Sequence, residues 1–198
     1  MIKNVIFDIG NVLLDFCWKD HIARFGFQGE KADRIAQAMM LGPIWPKLDL
    51  GLESDEDILE QFVAHTPELE QEIRLVFSDL STIVREYEGS VDWIESLKAR
   101  GYHTYYLSNY GERIRREASK ELSFLSHMDG GIMSYTVHLA KPDPAIYQTL
   151  LDRYGLKAEE CVFLDDTVRN VEAAQALGIA GIVVTSQEQA MKELETLL

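Results

Sequence analysis

Short apolar runs recur along the chain and are separated by longer amphipathic stretches. Continuous apolar runs of this kind are typical of strands that are buried on both faces of a parallel sheet. Residues 131–134 form a weaker run of the same kind. The four clear runs cover residues 5–7, 104–107, 161–164 and 181–184.

Amphipathic helices are predicted between and after these strands. Ser90 is expected to cap the first of them, and Pro144 to lie in the first turn of the second, which Gly155 ends. Alternating strands and helices predict an α/β fold, a three-layer sandwich with a mostly parallel, Rossmann-like sheet. The predicted helices cover residues 90–100, 144–154, 168–177 and 186–197.

The stretch from residue 15 to residue 87 interrupts this alternation. It has the pattern of consecutive helices without a convincing strand, and it follows the first strand directly. Between its helices, residues 41–51 form a loop rich in Pro and Gly. The sequence therefore predicts a core of residues 1–14 and 88–198, with residues 15–87 inserted after the first strand as a small helical cap.

The charge of the chain limits its partners. With 33 acidic and 19 basic residues the formal net charge is −14, and this field repels nucleic acid and anionic membranes. A phosphate site must then be built from local positive charge, a metal ion and backbone N–H groups. We expect a small phosphorylated metabolite as the partner, and neither nucleic acid nor membrane. The oligomeric state has no signature in the sequence.

Several features predict a cytoplasmic protein. No run reaches the ~20 apolar residues of a membrane helix, and the first residues meet Asp8 too early for a signal peptide. Cys17 and Cys161 lie far apart and do not make a disulfide framework. We expect both to be reduced cysteines of the core.

Polar residues follow the predicted strands at the points where those strands end. The carboxyl ends of parallel strands meet at one edge of an open α/β sheet, where such folds bind ligands. Asp165 and Asp166 are adjacent carboxylates after a buried strand, and they repel each other unless a cation lies nearby. The residues expected at this edge are Asp8, Gly10, Asn11, Ser108, Asn109, Lys141, Asp165, Asp166 and Asn170.

These residue types match the demands of phosphoryl transfer. An aspartate such as Asp8 can attack phosphorus and form an acyl-phosphate, which splits hydrolysis into two steps. Asp8 and Asp166 are suited to bind Mg²⁺, which lets an anionic nucleophile approach an anionic phosphate. The Ser108 hydroxyl can hold phosphoryl oxygens, and Lys141 can neutralise charge on both reactants.

Four motifs, in their order along the chain, resemble the haloacid dehalogenase-like hydrolase superfamily. They span the predicted core and leave room for a helical cap after the first motif. The resemblance implies a phosphatase of the helical-cap group. The motifs are Phe7-Asp8-Ile9-Gly10-Asn11-Val12-Leu13, Leu107-Ser108-Asn109, Lys141-Pro142-Asp143-Pro144-Ala145-Ile146-Tyr147, and Val162-Phe163-Leu164-Asp165-Asp166 with Asn170, followed by Ala173-Ala174 and Gly178.

The resemblance implies a role for each matching residue. Asp8 would be the nucleophile and a Mg²⁺ ligand, together with Asp166 and the backbone carbonyl of Gly10. Lys141 would neutralise charge during catalysis and contact the phosphate. The other matches would bind the phosphoryl group, with Ser108, Asn109 and Asn11, or support the metal site, with Asp165 and Asn170.

Gly10 departs from the superfamily pattern. Most of its phosphatases have an aspartate two residues after the nucleophile, where it serves as general acid and base. Such a proton donor typically contributes about 10²–10⁴-fold to the rate. The Asp-x-Gly-Asn variant is similar to bacterial α-glucose-1-phosphatase-like members, which are close to the phosphatase domain of soluble epoxide hydrolases. In this group, proton transfer would pass to Asn11, water or the substrate.

Three other functions share parts of this pattern. A catalytically weak or non-catalytic phosphate-binding protein would follow from the missing acid at Gly10. A phosphonatase would use a Schiff-base lysine from the cap, for which Lys47 is the candidate. A phospho-accepting receiver module also combines an aspartate, an acidic pair and a lysine. There, however, the acidic pair precedes the phosphorylated aspartate and no cap is inserted.

The cap is expected to select the leaving group. Trp45, Lys47 and Asp49 lie in the loop at residues 41–51, a candidate lid over the sheet edge. An aromatic face with polar groups beside it suits a sugar, so the expected substrate is a small sugar phosphate or a related metabolite, contacted by Trp45 and Lys47. The alternative is that Trp45 packs the cap against the core.

Overall fold

A computed structural model of residues 1–198 has a five-stranded parallel sheet at its centre. The strands of the chain are β1 (Asn4–Phe7), β2 (Leu14–Phe16), β3 (Val84–Glu86), β4 (His103–Ser108), β5 (Gly130–Met133), β6 (Cys161–Asp165) and β7 (Ala180–Val183). The central sheet has the order β5-β4-β1-β6-β7. The four clear apolar runs and the weaker fifth coincide with these five strands to within one residue, which confirms the predicted fold class.

Helices cover both faces of the sheet. Alternate residues of β1 belong to different apolar clusters: Val5 and Phe7 to one, and Ile6 to the other, which also contains Tyr147. On the first face, Phe7 meets Trp93 edge to face at 4.9 Å. The helices are α1 (Trp18–Arg24), α2 (Gly29–Ala38), α3 (Pro46–Leu50), α4 (Asp55–His65), α5 (Glu70–Phe77), α6 (Ser90–Ala99), α7 (Glu112–Glu117), α8 (Pro144–Tyr154), α9 (Val168–Ala176) and α10 (Gln187–Glu195).

The central strand β1 fixes the position of Asp8. It pairs in parallel with β4 and β6, so that Phe7 lies opposite Tyr106 and Leu164. The Asp8 N–H donates to the Leu164 carbonyl at 2.8 Å, which keeps the chain in register with β6 one residue beyond the strand. Asp8 and Asp165, the residues that follow Phe7 and Leu164, therefore lie side by side at the carboxyl edge of the sheet.

The segment expected to contain only helices also contains strand residues. Helices α1 to α5 lie between β2 and β3, which form a separate antiparallel sheet with Leu14 opposite Glu86 and Phe16 opposite Val84. The expectation that residues 15–87 hold no strand is therefore wrong. Three-residue strands show no periodic pattern, and these two are held by pairing between distant segments. The proposed boundaries between core and cap stay a prediction.

The loop expected in the middle of the cap contains the short helix α3, which lies against the core. Gly51 ends α3 with a left-handed φ of 61°. The Ser134 hydroxyl donates to the Asp49 carbonyl, and His138 Nδ1 donates to the Leu50 carbonyl at 2.8 Å. These bonds fix α3 to the turn that follows β5, so this segment is an anchored helix and not an open loop.

The start of α6 differs from the sequence-based expectation. Gly89 precedes the first residue of the helix, and the Ser90 side chain makes no capping bond. Instead, the buried Ser90 hydroxyl donates to the Leu13 carbonyl at 2.8 Å. Ser90 therefore links α6 to the segment after β1. Gly155 ends α8 as expected, with a left-handed φ of 63°.

Both cysteines are buried free thiols. Cys17 precedes α1 and Cys161 begins β6, which confirms the expectation of core cysteines. None of the helices has the length and apolar character needed to cross a membrane.

Replacing Gly51 by alanine tests the contact between α3 and the core. The left-handed φ of 61° costs a residue with a side chain about 1–2 kcal/mol, and a Cβ would lie 3.0 Å from the Tyr135 Cβ. Gly155→Ala is the matched control, because its φ is 63° and a Cβ there has nothing within 4 Å. We expect Gly51→Ala to lower the free energy of unfolding by about 1–3 kcal/mol more than the control. Equal losses in chemical denaturation would contradict the contact.

Candidate active site

The side chain of Lys141 lies buried between two carboxylates. Its Nζ is 2.8 Å from Asp8 Oδ1 and donates to Asp165 Oδ2 at 2.6 Å. Asp8 follows β1, Asp165 ends the neighbouring strand β6, and Lys141 comes from the loop before α8. Three distant segments of the chain therefore meet in one ion cluster at the carboxyl edge of the sheet.

Burial and charge shift the pKa values of this cluster. Burial raises the pKa of Asp8 to about 6; Lys141 works against this rise, and Asp165 adds to it. Burial lowers the pKa of Lys141, but Asp8 and Asp165 outweigh burial and hold the pKa above its ordinary value. Lys141 therefore stays a cation, and Asp8 is an anion at neutral pH.

Asp165 is satisfied by the protein itself. Besides the bond from Lys141, its two oxygens each accept from the Asn170 amide at 3.1 Å. The Thr167 N–H donates to its Oδ1 at 2.7 Å. Asp165 therefore orients Lys141, and Asn170 at the start of α9 orients Asp165.

Asp166 keeps capacity for a ligand. It is partly exposed, and its oxygens accept from the Asn11 amide at 2.8 Å and from the Thr167 hydroxyl at 3.3 Å. One oxygen each of Asp8, Asp165 and Asp166 lie within 4.8 Å of one another. Hard divalent cations such as Mg²⁺ prefer oxygen ligands of this kind. The residues present therefore fit a Mg²⁺ site.

Ser108 and Asn109 follow the neighbouring strand β4 and act on different parts of the cluster. The buried Ser108 hydroxyl helps to lower the pKa of Asp8. The Asn109 amide donates to the Lys141 carbonyl at 3.0 Å and accepts from the Lys141 N–H at 2.8 Å. Asn109 therefore holds the backbone that carries the buried ammonium.

A cavity of about 230 Å³ opens at this edge and brings most of the expected site residues together. Lys141, Asp165 and Asn170 lie outside its lining and are buried. The expected residues that line it are Asp8, Gly10, Asn11, Trp45, Ser108, Asn109 and Asp166. Its apolar wall consists of Leu14, Phe16, Trp45, Val84, Tyr110 and Ile114.

The structure does not bring Lys47 to the cavity. Its ammonium donates to Gln61 Oε1 at 2.6 Å and lies 3.3 Å from Glu53 Oε1. Residues four apart share a helix face and residues two apart do not, so Trp45 and Asp49 reach the cavity while Lys47 points elsewhere. No lysine lines the cavity, which leaves a phosphonatase-type Schiff base without a candidate.

Trp45 lines the cavity and packs against aromatic rings within residues 15–87, whereas its packing of the cap against the core stays a prediction. It lines the cavity, but only 7% of its surface is exposed. Its ring packs beside Phe16 at 6.0 Å and Phe62 at 6.2 Å, measured between ring centres. Most of the indole is therefore packed against neighbouring side chains, and the small exposed part is available to a ligand in the cavity.

Two further residues line the cavity: Asp49, which the sequence places on the expected lid without a catalytic role, and Tyr110, which the sequence does not single out. Asp49 lies on α3, and burial raises its pKa to about 7, with Asp8 adding to the rise and Lys141 opposing it. The Tyr110 hydroxyl is buried without a hydrogen-bond partner. Their positions in the sequence could have indicated a place at the site, because Asp49 is an acid on the expected lid and Tyr110 directly follows Asn109.

Comparison with known proteins agrees with the motifs. Residues 2–178 match the haloacid dehalogenase-like hydrolase family. The chain therefore belongs to this family of hydrolases, as the resemblance of its four motifs implies.

Two curated relatives show how the chain relates to longer and to similar-sized proteins. It is 36% identical over 104 residues to bifunctional epoxide hydrolase 2 of Sus scrofa, covering 50% of this chain and 19% of that protein. It is 25% identical over 201 residues to sesquiterpene phosphatase astK of Aspergillus oryzae, covering 99% of this chain and 96% of that protein. The chain spans 19% of the length of the first curated relatives it matches.

A solved structure shares the fold. It is that of a haloacid dehalogenase-like family enzyme from Bacteroides thetaiotaomicron, in complex with magnesium and inorganic phosphate. The TM-score is 0.71 at 22% identity, and the match covers 94% of this chain and 96% of the other. This similarity supports the three-layer architecture.

Replacing Lys141 by methionine tests the ion cluster. The change leaves Asp8 and Asp165 buried without a cation, which typically costs about 3–5 kcal/mol. We expect this loss in the free energy of unfolding at pH 8 without added metal, and a smaller loss at pH 5, where Asp8 takes up a proton. Lys120→Met, at an exposed position, is the control and should change little. A Lys141→Met protein as stable as wild type at pH 8 would rule the cluster out.

Proposed function

We propose that this protein is a Mg²⁺-dependent phosphatase that hydrolyses a phosphate monoester through a phosphorylated intermediate on Asp8. The observation that carries the proposal is the Lys141 ammonium, 2.8 Å from Asp8 Oδ1 and 2.6 Å from Asp165 Oδ2 at the edge of the cavity. It supplies positive charge where an anionic nucleophile has to meet an anionic substrate.

The side chains around Asp8 suit a two-step displacement. An Asp8 oxygen attacks phosphorus, and the bond from phosphorus to the leaving oxygen breaks. Water then attacks the phosphorus of the aspartyl-phosphate and frees Asp8. Lys141 offsets the negative charge in both steps. Donors available for the phosphoryl oxygens are the Ser108 hydroxyl and the Asn109 and Asn11 amides.

Mg²⁺ would be held by the Asp8 and Asp166 carboxylates and by the backbone carbonyl of Gly10. Asp165 and Asn170 would fix the acidic loop from the protein side. When bound, the ion supplies charge that offsets the repulsion between nucleophile and phosphate. The proposal is supported by the oxygen cluster within 4.8 Å and by the Bacteroides enzyme, whose structure contains magnesium and phosphate.

The proposed cap, residues 15–87, would close the cavity over the core residues. It contributes Phe16, Trp45, Asp49 and Val84 to the lining. The partner would be a small phosphorylated metabolite, since about 230 Å³ leaves room for a phosphate and a compact leaving group. The cytoplasmic location and the absence of nucleic-acid and membrane partners stay predictions from charge and composition.

The apolar wall of the cavity bears on the leaving group. It favours a leaving group with an apolar face, and a sesquiterpene phosphatase is among the relatives. Sugar phosphates are the second candidate, because Trp45 and Asp49 line the cavity together. Lys47 no longer supports a sugar, since its ammonium is bound to Gln61 and Glu53 on the outside.

A phosphate-binding protein without catalysis is the competing function, because Gly10 supplies no acid. Such a protein would retain Lys141, Ser108 and the metal ligands. Turnover separates the phosphatase from the binding protein, since a binding protein binds phosphate and releases no product alcohol. Asp8 is the residue whose removal discriminates, because only catalysis needs its attacking oxygen.

A phosphatase assay with Mg²⁺ tests the proposal directly. We expect wild type to hydrolyse p-nitrophenyl phosphate and at least one member of a panel of isoprenyl and sugar phosphates, and EDTA to stop the reaction. Asp8→Asn should lose at least about 10³-fold in rate, because it removes the nucleophile, while keeping the far-UV spectrum of wild type. Hydrolysis by Asp8→Asn at the wild-type rate would take the nucleophilic role from Asp8.

A further inference from the structure

We infer that Asp49, reaching the cavity from α3, is the general acid and base of the reaction and takes the role for which Gly10 has no side chain. The inference rests on the proposed phosphatase function. Asp49 and Asp8 line the same cavity, one from the predicted cap segment and the other from the residue after β1. No hydrogen bond joins the two carboxylates, and both face the space of the cavity.

The backbone of α3 holds Asp49 in a fixed place. The Ser134 hydroxyl donates to the carbonyl of Asp49 itself, and His138 donates to the carbonyl of the next residue. Leu48, the residue before Asp49, lies against Gly111, and a Cβ added to Gly111 would come within 3.4 Å of the Leu48 Cβ. Gly51 closes the helix against Tyr135. A proton donor needs such a support, because its distance to the reacting atom sets its efficiency.

The surroundings of Asp49 suit proton transfer near neutral pH. Burial and the negative charge of Asp8 favour its protonated form, and Lys141 opposes them, with the balance at a pKa of about 7. General acids and bases work best when their pKa lies close to the operating pH. The other ionisable groups around the cavity and the α3 support are Asp166, Tyr110, Tyr135 and His138.

Other residues near the cavity are poorer proton carriers. The Asn11 side chain is an amide, which neither gains nor loses a proton near neutral pH, and it donates to Asp166. Burial raises the pKa of Tyr110, so this phenol stays protonated and is no base. The Ser108 hydroxyl is buried beside Asp8 and is suited to bind phosphoryl oxygens.

The proton balance closes with Asp49 alone. As an Asp8 oxygen bonds to phosphorus, the electron pair of the broken phosphorus–oxygen bond goes to the leaving oxygen, which takes the proton of Asp49 and departs as an alcohol. Asp49 is then a carboxylate. It takes a proton from the water that attacks the phosphorus of the aspartyl-phosphate, while the bond to Asp8 breaks. Inorganic phosphate leaves, and Asp49 is protonated again.

The leaving group provides the test. An alcohol needs a proton to depart, whereas p-nitrophenol departs readily as its anion, so loss of a general acid slows an alkyl phosphate selectively. We expect Asp49→Asn to lower kcat/KM by about 10²–10⁴-fold for an alkyl or sugar phosphate and by less than about tenfold for p-nitrophenyl phosphate. Asp33→Asn, an exposed acid on α2, is the matched control and should change neither.

The pH profile gives a second readout. With the alkyl substrate, kcat/KM of wild type should fall as the pH rises through the pKa of Asp49, which burial raises, because Asp49 loses its proton. This fall should be absent in Asp49→Asn. Equal losses on both substrates, or an unchanged fall at high pH, would overturn the role of Asp49 while leaving the phosphatase function standing. Absence of Mg²⁺-dependent turnover in wild type would overturn both.

Discussion

The site depends on one buried cation shared by two carboxylates. Asp8 follows β1 and Asp165 ends the neighbouring parallel strand β6, and their charges repel each other in a place that water scarcely reaches. Lys141 removes this conflict by lying within 2.8 Å of one and 2.6 Å of the other. Asn109 holds the backbone of Lys141 through both its N–H and its carbonyl. The ion cluster therefore also constrains the relative positions of three strands and of the loop that carries Lys141.

The same cluster divides the two adjacent acids between structure and ligand. The Asp165 oxygens accept hydrogen bonds from Lys141, Asn170 and the Thr167 N–H, so Asp165 positions other groups. Asp166 is partly exposed and has fewer partners. One residue of the pair thus stabilises the folded arrangement, while the next remains open to a metal ion. Sequence order alone does not separate these roles, because both are aspartates after the same strand.

Strand positions and sheet-edge residues were predictable because they follow from local sequence. Continuous apolar runs mark strands buried on both faces, and parallel pairing then brings the residues after them together. The strands β2 and β3 were not predictable from the sequence, since each has three residues and forms only by pairing with a distant segment. Lys47 and Asp49 lie two residues apart, and only the helical conformation of α3 decides which of them meets the cavity.

The cap contributes chemistry as well as a lid in this account. The segment after β1 carries the proposed nucleophile Asp8 and has a glycine where an acid is usual, and the anchored helix α3 brings a protonatable carboxylate to the same space. Because α3 is bonded to the turn after β5, its position depends on the core as much as on the other cap helices.

The most direct measurement is to identify the residue that carries phosphate during turnover. Wild-type protein is mixed with p-nitrophenyl phosphate and Mg²⁺, quenched in acid within one turnover, and its peptides are analysed by mass spectrometry. We expect phosphate on the peptide containing Asp8, appearing and decaying at least as fast as product forms. Release of inorganic phosphate with Asp8 unmodified at every time, or with phosphate on another residue, would contradict it.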